Sequence, residues 1–545
     1  MDNNSISPAA GSYSLSRRQV FWTLAGIMLA MLLGALDQTV VGTSMPRIVA
    51  DLGGFNRYTW VTSIYMITSA VTIPLVGKLS DMYGRKILYM TGIAIFVTFS
   101  LACGLSQNMT ELIVFRGIQG IGGGVLMTLA FIAIADLFPP SERGKYQGLL
   151  TIVFSFASVI GPTTGGYLTD NISWHWVFFI NVPIGIAVIA IFFKFFPNLR
   201  TVNLKHIIDY PGLCALILTV VPIMLALSFG GVQYAWGSVQ IIGMFVFAAV
   251  MLGLFLFLEN RSPEPILPLS LFKNRIVAIS NLVSFLTGMG MFASITFIPL
   301  YLQGVLGASA TASGNMQIPQ SIAVMLTAFL AGQLISRAKG QYRNLGALAM
   351  GLICLGVFLL SRLTTGSAFW MVIVDAIIIG FGMGFSIPVF TIAIQNSVPR
   401  EILGVATSSS TFLRSFGGAI GLAVLGSIVN VRFLANFTSH LPATVTNAVS
   451  MEKLSALAHN PQALVNPTAQ AQLKEILSSA GLGSSVFDQV MQTLKQALSS
   501  AIAEAFLIGF GILMIGLVAT LFLKQGPANK DDRPVNILNG QNPEK

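Results

Sequence analysis

The amino-acid sequence predicts an all-α membrane protein with fourteen transmembrane helices, and three observations lead to this fold class. Hydrophobic residues make up 54% of the 545 residues and charged residues only 9%, whereas a soluble chain carries about a quarter charged residues because its surface faces water. Fourteen apolar stretches approach or exceed the length of about twenty residues with which a helix crosses the hydrocarbon. Lysine and arginine are concentrated in alternate loops. A soluble globular protein is therefore excluded.

The apolar stretches give the predicted spans directly. Each is bounded by polar loops, and we number them 1 to 14 in chain order. They lie near residues 20–44, 58–77, 87–106, 111–135, 147–169, 174–196, 211–230, 237–258, 276–301, 313–336, 345–362, 367–395, 403–429 and 501–523.

The placement of basic residues predicts the orientation in the membrane. With both termini in the cytoplasm, the short outer loops hold only Arg47, Arg57 and Arg362. Positive charge is enriched in the cytoplasmic loops of membrane proteins, and moving the count by one helix would destroy this asymmetry. We therefore expect a multi-pass protein of the cell membrane, in a bacterium the cytoplasmic membrane. The net charge of +10 then reflects topology, and no nucleic-acid partner is expected.

An internal repeat divides the spans into two groups of six. An offset of 260 positions superposes Gly120, Gly122 and Gly124 on glycines 380, 382 and 384, and four further Pro and Gly positions coincide in the same order. Enrichment of glycine for close helix packing explains the residues but not their common offset. Spans 1–6 and 9–14 are therefore predicted to be related bundles, an arrangement that places a transporter's substrate site at the interface of the repeats.

The repeat also predicts the domain organisation. Helices 7 and 8 are inserted between the bundles. The long external segment between helices 13 and 14 contains apolar residues at spacings of three and four, which indicate amphipathic helices. The expected divisions are a cytoplasmic tail (1–18), the N-terminal bundle (19–197), two inserted helices (198–260), the C-terminal bundle (261–523) with an extracytoplasmic loop (430–500), and a second cytoplasmic tail (524–545).

Asp37 is the first candidate functional residue because it lies within span 1. A carboxylate in hydrocarbon costs at least a few kcal/mol unless it is paired, hydrated or protonated. At about 1.5 Å per residue, Asp37 and Arg116 of span 4 lie roughly 10 and 8 Å from the outer ends of their helices, so the two charges are level. A nearby arginine favours the ionised carboxylate and desolvation favours the neutral acid. The pair is a candidate proton site, and a permanent structural salt bridge is the alternative.

Two further charged residues lie within spans of the second bundle and have no charged counterpart in the first. Asp375 is about 12 Å from the outer end of span 12, where it is either a second proton or cation site or a hydrated acid of the outer vestibule. Arg414 lies near the middle of span 13 and needs a carboxylate or carbonyl partner that the sequence does not identify. At the repeat offset these residues align with Phe115 and Phe154. The bundles therefore share a frame but differ in buried charge.

Other chemistries lack the residues that they need. The three cysteines fall within apolar stretches without disulfide or metal spacing, and the four histidines lie in loops or at helix ends. No nucleophile-and-base pair occurs at membrane depth, so an enzyme is not expected. No GxxxxGK[ST] loop is present, which excludes direct ATP drive. No metal or cofactor is predicted.

Five motifs follow one another in the first two hundred residues: LDQTVVGTSMP (Leu36 to Pro46), GKLSDMYGRK (Gly77 to Lys86), RGIQGIGGG (Arg116 to Gly124), GPTTGGYL (Gly161 to Leu168) and WHWVFFINVPIG (Trp174 to Gly185). In this order they resemble the motifs of the fourteen-helix drug/proton antiporters of the major facilitator superfamily. The resemblance predicts the major facilitator fold across the whole chain.

The second of these motifs resembles the superfamily's signature loop between helices 2 and 3. By this resemblance, Asp81 and Arg85 latch the two bundles on the inner side, and the latch breaks when the cytoplasmic gate opens. Gly77, Gly84 and Lys86 belong to the same motif. The alternative is that its charges only enforce the topology.

The fourth motif resembles the antiporter motif of helix 5. Its residues Gly161, Pro162, Gly165 and Gly166 let the helix bend and approach its neighbour closely, and in the family this segment accompanies export. The sequence departs from the family at His175, where an arginine is expected, and in having no acid within helices 2, 9, 10 or 13. Specificity for dications is therefore not expected.

The resemblance implies a proton-coupled antiporter that exports small amphipathic, hydrophobic or monocationic compounds, as in multidrug efflux and antibiotic resistance. Arg116 would tune and receive the proton of Asp37, the proton gradient would supply the energy, and membrane lipid would surround a functional monomer. Export of one endogenous lipid or metabolite by the same mechanism is the alternative; proton-coupled uptake is disfavoured by the helix 5 motif. The candidate cavity residues are Gln38, Phe285, Phe292, Phe297 and Arg414.

Overall fold

The computed structural model confirms the predicted number of membrane-spanning helices. It describes residues 16–52, 57–197, 209–231, 233–337, 342–441 and 484–524, together with residues 445, 471, 474, 475 and 478. Within these residues, 14 helices are long and apolar enough to cross a membrane.

The helices are numbered in chain order. Two pairs share a span: α6 and α7 form the sixth, and α11 and α12 contribute to the tenth. Short 3-10 turns at Leu269–Lys273 and Arg400–Ile402 precede α10 and α15. They are α1 (Arg17–Leu52), α2 (Tyr58–Tyr83), α3 (Arg85–Gly104), α4 (Met109–Leu137), α5 (Pro140–Asn171), α6 (Trp176–Phe179), α7 (Asn181–Phe195), α8 (Tyr210–Phe229), α9 (Val239–Arg261), α10 (Arg275–Gly304), α11 (Ala310–Asn315), α12 (Gln317–Arg337), α13 (Tyr342–Leu360), α14 (Phe369–Asn396), α15 (Leu403–Ser439) and α16 (Ser484–Leu521).

Local sequence explains where several helices begin and turn. Asn108 caps α4 by accepting a hydrogen bond from the Glu111 backbone N–H, and Ser238 caps α9 through Ile241 in the same way. The tight connection from α2 to α3 requires Gly84, whose φ of 90° lies in the region that side chains disfavour. The two capping residues and the glycine turn thus mark the boundaries between these helices and their loops.

The glycines of the repeat occupy equivalent packing positions in the two bundles. In α4, Gly120 and Gly124 face the backbone of α2 and Gly122 faces that of α3. In α14, the glycines at 380 and 384 face α12 and the glycine at 382 faces α13. The glycines allow backbones to approach closely, and the same pair of neighbours is approached in each copy. We call α1–α7 the N-half and α10–α16 the C-half.

The two halves meet at one face of the membrane-spanning bundle. We call the face at which α1 begins the basic face, because Lys78, Arg85 and Arg143 lie there, and the other the opposite face. Gly148 of α5 packs on the backbone of Ala328 of α12, near the basic-face ends of both helices. In the described part of the chain, the hydrogen bonds between the halves also lie at this face. The bundle is therefore closed at the basic face.

The helices on either side extend into the predicted extracytoplasmic loop 430–500. α15 continues to Ser439, and α16 begins at Ser484. The apolar residues Val490 and Leu498 are buried along the first turns of α16, and Arg432 of α15 pairs with Glu504 of α16 at 2.9 Å. The regularly spaced apolar residues near 486–498 thus belong to α16. Those near 473–477 include positions outside the described residues, and most of both predicted tails also lies outside them.

Candidate proton and substrate site

Asp37 and Arg116 form a buried ion pair inside the N-half. Nη1 of Arg116 lies 2.6 Å from Oδ2 of Asp37, and the two side chains are 2% and 0% exposed, respectively. The predicted equal depth of the two residues in the bilayer is therefore confirmed. A charge-assisted hydrogen bond of this length is among the strong interactions of a protein interior.

Two amide side chains complete the surroundings of the Asp37 carboxylate. Gln119 Nε2 and Asn181 Nδ2 both donate to Oδ1, at 3.0 and 3.1 Å. Gln119 also accepts from Arg116 Nη1 at 2.9 Å, and Asn181 is held by Ser100 Oγ at 3.0 Å. Three N–H donors aimed at two acceptor oxygens fit an ionised carboxylate, because a protonated acid would need an acceptor of its own.

Aromatic and apolar side chains seal this network. The Arg116 guanidinium lies over the ring of Tyr65 at 4.1 Å from its centroid, a favourable position for a cation. Buried apolar residues at the opposite-face ends of α1, α2 and α4, together with α6, form a cluster above the pair. They include Val41, Met45, Val61, Leu112 and Phe178. Asp37 is thus closed off from water in this conformation.

Asp375 lies on α14 in the C-half and has quite different surroundings. It is 6% exposed, and no basic side chain in the described ranges of the chain pairs with it. Its backbone carbonyl faces Gly356 of α13. The structure therefore places this acid well apart from the Asp37 network, and it is not assembled with Arg116.

Arg414 projects from α15 to the boundary between the halves. Its guanidinium carbon lies 5.7 Å from the centroid of the Phe131 ring on α4. The carboxylate or carbonyl partner expected from the sequence is not among its described hydrogen bonds and ion pairs, and an aromatic face occupies that place. The side chain is half-buried.

The remaining cavity candidates divide into packed and accessible residues. Phe297 is 4% exposed and packs edge-on to Phe506 at 6.4 Å, inside the core of the C-half. It does not line an open surface. Phe285 and Phe292 are half-buried on α10, where they face Gly417 and Gly418 of α15.

Gln38 lies next to Asp37 in sequence but has a different neighbour. It is half-buried beside the hydroxyl of Tyr65, whose ring supports Arg116. Gln38 is thus placed between the sealed ion pair and the partly exposed surface of α1.

The helix 5 motif packs directly against the helix that carries Asp37. Gly161 faces Thr39, and Gly165 faces Thr43 and the Val40 carbonyl. Thr39 Oγ1 donates to the Ala157 carbonyl at 3.3 Å, which ties α1 to α5 two residues from Asp37. Pro162 lies inside α5, whereas nothing lies close to the Cα of Gly166. Movement of α5 would therefore act on α1 at the depth of the ion pair.

The signature loop joins the halves through Asp81. Its carboxylate accepts hydrogen bonds from the backbone N–H groups of Gly404 and Val405, at 3.3 and 3.1 Å. These groups begin α15, whose N-terminal end favours negative charge. Gly77 lets α2 approach α15, because a Cβ would overlap the Ser408 side chain.

The basic residues of the loop act within the N-half. Arg85 pairs with Asp81 and, at 2.7 Å, with Asp136 of α4, and all of these groups are largely buried. Lys86 donates to the Phe193 carbonyl at 3.0 Å. Across the interface, the predicted latch contacts α15 through the Asp81 carboxylate and the close approach at Gly77. Arg85 pairs with that carboxylate from within the N-half.

A second polar cluster joins the halves at the basic face, between α5 and α14. Arg143 of α5 donates to the Gln395 carbonyl and to Asn396 Oδ1, at 3.3 and 2.8 Å. Gln147 and Gln395, one from each half, both donate to the Phe131 carbonyl. We call Arg143, Gln147, Gln395 and Asn396 the amide gate. Sequence reasoning did not identify it, because neutral amides at the ends of apolar spans resemble ordinary caps.

Sequence reasoning also missed the partners of Asp37. Gln119 lies three residues after Arg116, so both face the same side of α4, and Asn181 and Ser100 are polar residues within apolar spans. A polar side chain in a span is itself a signal of an interhelical hydrogen bond. That signal could have identified all three, but not which residue each one meets.

Duplicated six-helix halves, a buried polar site and hydrogen bonds between the halves at one face are the architecture of a membrane transporter. The chain belongs to the Major Facilitator Superfamily, whose family model matches residues 27–422. It is accordingly a transporter and not an enzyme.

Curated relatives match nearly the full chain. The chain is 40% identical over 514 residues to the multidrug transporter protein MdtP of Bacillus subtilis (strain 168), covering 92% of each protein. It is 38% identical over 503 residues to multidrug resistance protein 3 of the same organism, covering 92% of this chain and 94% of that protein.

A solved structure shares the fold at low sequence identity. The proton:xylose symporter XylE superposes with a TM-score of 0.54 at 12% identity, covering 94% of this chain and 97% of that one. This likeness supports the major facilitator fold alone.

Proposed function

We propose that the protein is a proton-coupled antiporter that exports small amphipathic, hydrophobic or monocationic compounds from the cell, as a multidrug efflux transporter. The observation that carries this proposal is the sealed network around Asp37, an acid at membrane depth held by one arginine and two amides. Intramembrane acids of this kind mark proton and substrate pathways. The likeness to two transporters that are named for multidrug transport or resistance supports the direction and breadth of transport.

The described conformation fits one step of the cycle. The basic face, which we assign to the cytoplasm from its lysines and arginines, is closed by Asp81 and the amide gate. Asp37 has the surroundings of an ionised carboxylate. A proton that arrives from the external side would break at least one of its three hydrogen bonds and release Arg116 from its charge partner.

The helix contacts provide a route from this event to the gate. Release of the ion pair changes the packing of α1, and α1 is tied to α5 through Thr39 and Gly161. The basic-face end of α5 carries Arg143 and Gln147 of the amide gate. Protonation of Asp37 would thus favour opening to the cytoplasm, where substrate binds as the proton leaves.

The charge balance depends on the substrate. If one proton enters for each monocation that leaves, no net charge crosses, and the pH gradient alone drives export. A neutral substrate would also draw on the membrane potential, which is worth about 2.3 kcal/mol per charge per 100 mV. Because one chain holds the ion pair and both gate contacts, we expect a monomer to be functional, and Asp375 is proposed as a second, less tightly held proton site.

The test is dye flux in liposomes with an imposed pH gradient. The purified protein is reconstituted, and uphill accumulation of ethidium is compared for wild type, Asp37→Asn and the control Asp170→Asn. Asp170 is an exposed acid at the end of α5, so its substitution makes the same chemical change outside the network.

We expect accumulation by wild type and Asp170→Asn and none by Asp37→Asn. Accumulation against the gradient by Asp37→Asn would remove Asp37 as the proton carrier. If wild type moved no dye but moved a fluorescent lipid, export of one endogenous lipid would replace multidrug efflux.

A further inference from the structure

Arg414 lies where the fully buried part of α15 ends. From Leu403 to Phe412 every residue of α15 is buried, and residues 413–416 are then partly exposed. The Arg414 backbone faces Gly288 of α10, while its guanidinium reaches Phe131 of α4 in the other half. The side chain therefore lies between the halves, next to the residue whose carbonyl binds Gln147 and Gln395 of the amide gate.

Arg414 has no acidic partner among the described residues. Arg85 is paired with Asp81 and Asp136, and Arg116 with Asp37. Arg143 donates to carbonyl and amide oxygens. The described contact of the Arg414 guanidinium is instead with the ring of Phe131. A cation at membrane depth without a counter-charge is costly, so this arginine differs from the other three.

Packing alone does not explain an arginine at this position. The residue at the equivalent position of the N-half is Phe154, which shows that the repeated frame accepts an apolar side chain here. The guanidinium presents five donors in a fork that matches a carboxylate. Its aromatic neighbour Phe131 supplies an apolar surface beside those donors. An acidic group attached to a ring system would meet both needs at once.

We propose that Arg414 is the residue at which the transporter recognises an acidic group, so that amphipathic carboxylates and zwitterions are substrates in addition to neutral and cationic compounds. This inference rests on the proposed efflux function and names a substrate class for it. Arg414 acts on binding, whereas proton coupling remains with Asp37. The two functions are thus separable by substitution.

The test uses two dyes that differ by a single carboxylate. Rhodamine 123 is the methyl ester of rhodamine 110, so the pair shares one ring system, and only the free acid can pair with Arg414. Binding of each dye to detergent-purified protein is measured by fluorescence anisotropy, which needs no proton gradient. The proteins are wild type, Arg414→Gln and Arg414→Lys.

We expect Arg414→Gln to weaken the binding of rhodamine 110 by about tenfold, because a hydrogen bond to a charged group is lost. The affinity for rhodamine 123 should stay within about twofold of that of wild type. Arg414→Lys should fall between, because it keeps the charge and loses the fork. Equal weakening of both dyes would assign Arg414 to structure, and failure of wild type to bind rhodamine 110 would remove acid recognition.

Ethidium flux separates this inference from the efflux proposal. Thermal unfolding of Arg414→Gln in detergent at a temperature close to that of wild type shows that this variant is folded. If wild type accumulates ethidium but does not discriminate the rhodamines through Arg414, the inference fails and the efflux function stands. If wild type accumulates no dye, the efflux proposal fails by itself.

Discussion

The two halves of the molecule share a packing frame but use buried charge in opposite ways. Gly161 faces Thr39 in the N-half as Gly421 faces Met289 in the C-half, which places Thr287 at the position of Asp37. The repeat offset likewise places Ala376 at the position of Arg116. The C-half thus lacks both members of the ion pair.

Asp375 and Arg414, the two charges within spans of the C-half that the sequence singled out, form no ion pair among the described residues. Asp37, by contrast, has three donors. This difference fits the proposals that the coupled proton is carried mainly by Asp37 in the N-half and that Arg414 in the C-half selects substrates.

The largest effect is expected from breaking the ion pair on one side. Arg116→Leu leaves a buried carboxylate without its cation, which should destabilise the protein by about 3–5 kcal/mol. The double variant Asp37→Asn/Arg116→Leu should be more stable than Arg116→Leu, because no charge remains buried. Thermal unfolding in detergent measures both. A double variant less stable than either single variant would contradict a paired N-half.

Removal of the amides should have the next largest effect. Gln119→Ala and Asn181→Ala each delete a hydrogen bond to a charged group, worth about 1.5–3 kcal/mol. We expect at least about a tenfold loss of proton-driven ethidium flux at equal protein in the membrane. Ser386→Ala in the C-half, which removes a buried hydroxyl near Thr287, is the control. Equal losses in all three would show that the halves do not differ in this respect.

Substitution of Asp81 tests whether closure of the interface depends on the negative charge at the start of α15. Asp81→Asn should weaken its contact with the start of α15 by about 0.3–2 kcal/mol and shift the protein toward opening at the basic face. Spin labels at Glu142 and Glu401, exposed residues of the N-half and C-half, report the separation. We expect a longer mean distance between the two labels in Asp81→Asn than in wild type. An unchanged distance distribution would show that the amide gate alone keeps the basic face closed.

The smallest effect is expected at the second acid. Asp375→Asn removes no described hydrogen bond, so ethidium flux should fall by less than about tenfold. Uphill accumulation should persist, as measured in the same liposomes. Complete loss of accumulation would place proton handling in both halves and would end the contrast between them.

Much of this arrangement could be predicted from the sequence, for physical reasons. Lipid exposure makes every span apolar, so the number of helices follows from hydropathy, and the glycines of the repeat give the pairing of the halves. Asp37 and Arg116 were identified because charge in hydrocarbon is costly.

The contacts between distant residues could not be predicted in the same way. Three contacts depend on how the helices are rotated about their axes: Asn181 with Asp37, Arg414 with Phe131, and the amide gate. Apolar periodicity does not determine this rotation, because most faces of a membrane-spanning helix are apolar. The continuity of residues 486–498 with α16 could not be predicted either, because packing on α15 requires the same spacing of apolar residues as packing on a membrane.

Proton release on substrate binding tests the central claim most directly. Purified protein in weakly buffered detergent solution is mixed with saturating ethidium at a pH below the transition of the proton site, and a pH-sensitive dye follows the release. Wild type and Asp375→Asn should release protons, and Asp37→Asn should bind ethidium and release none. Proton release by Asp37→Asn equal to that of wild type would contradict the assignment of the coupled proton to the N-half.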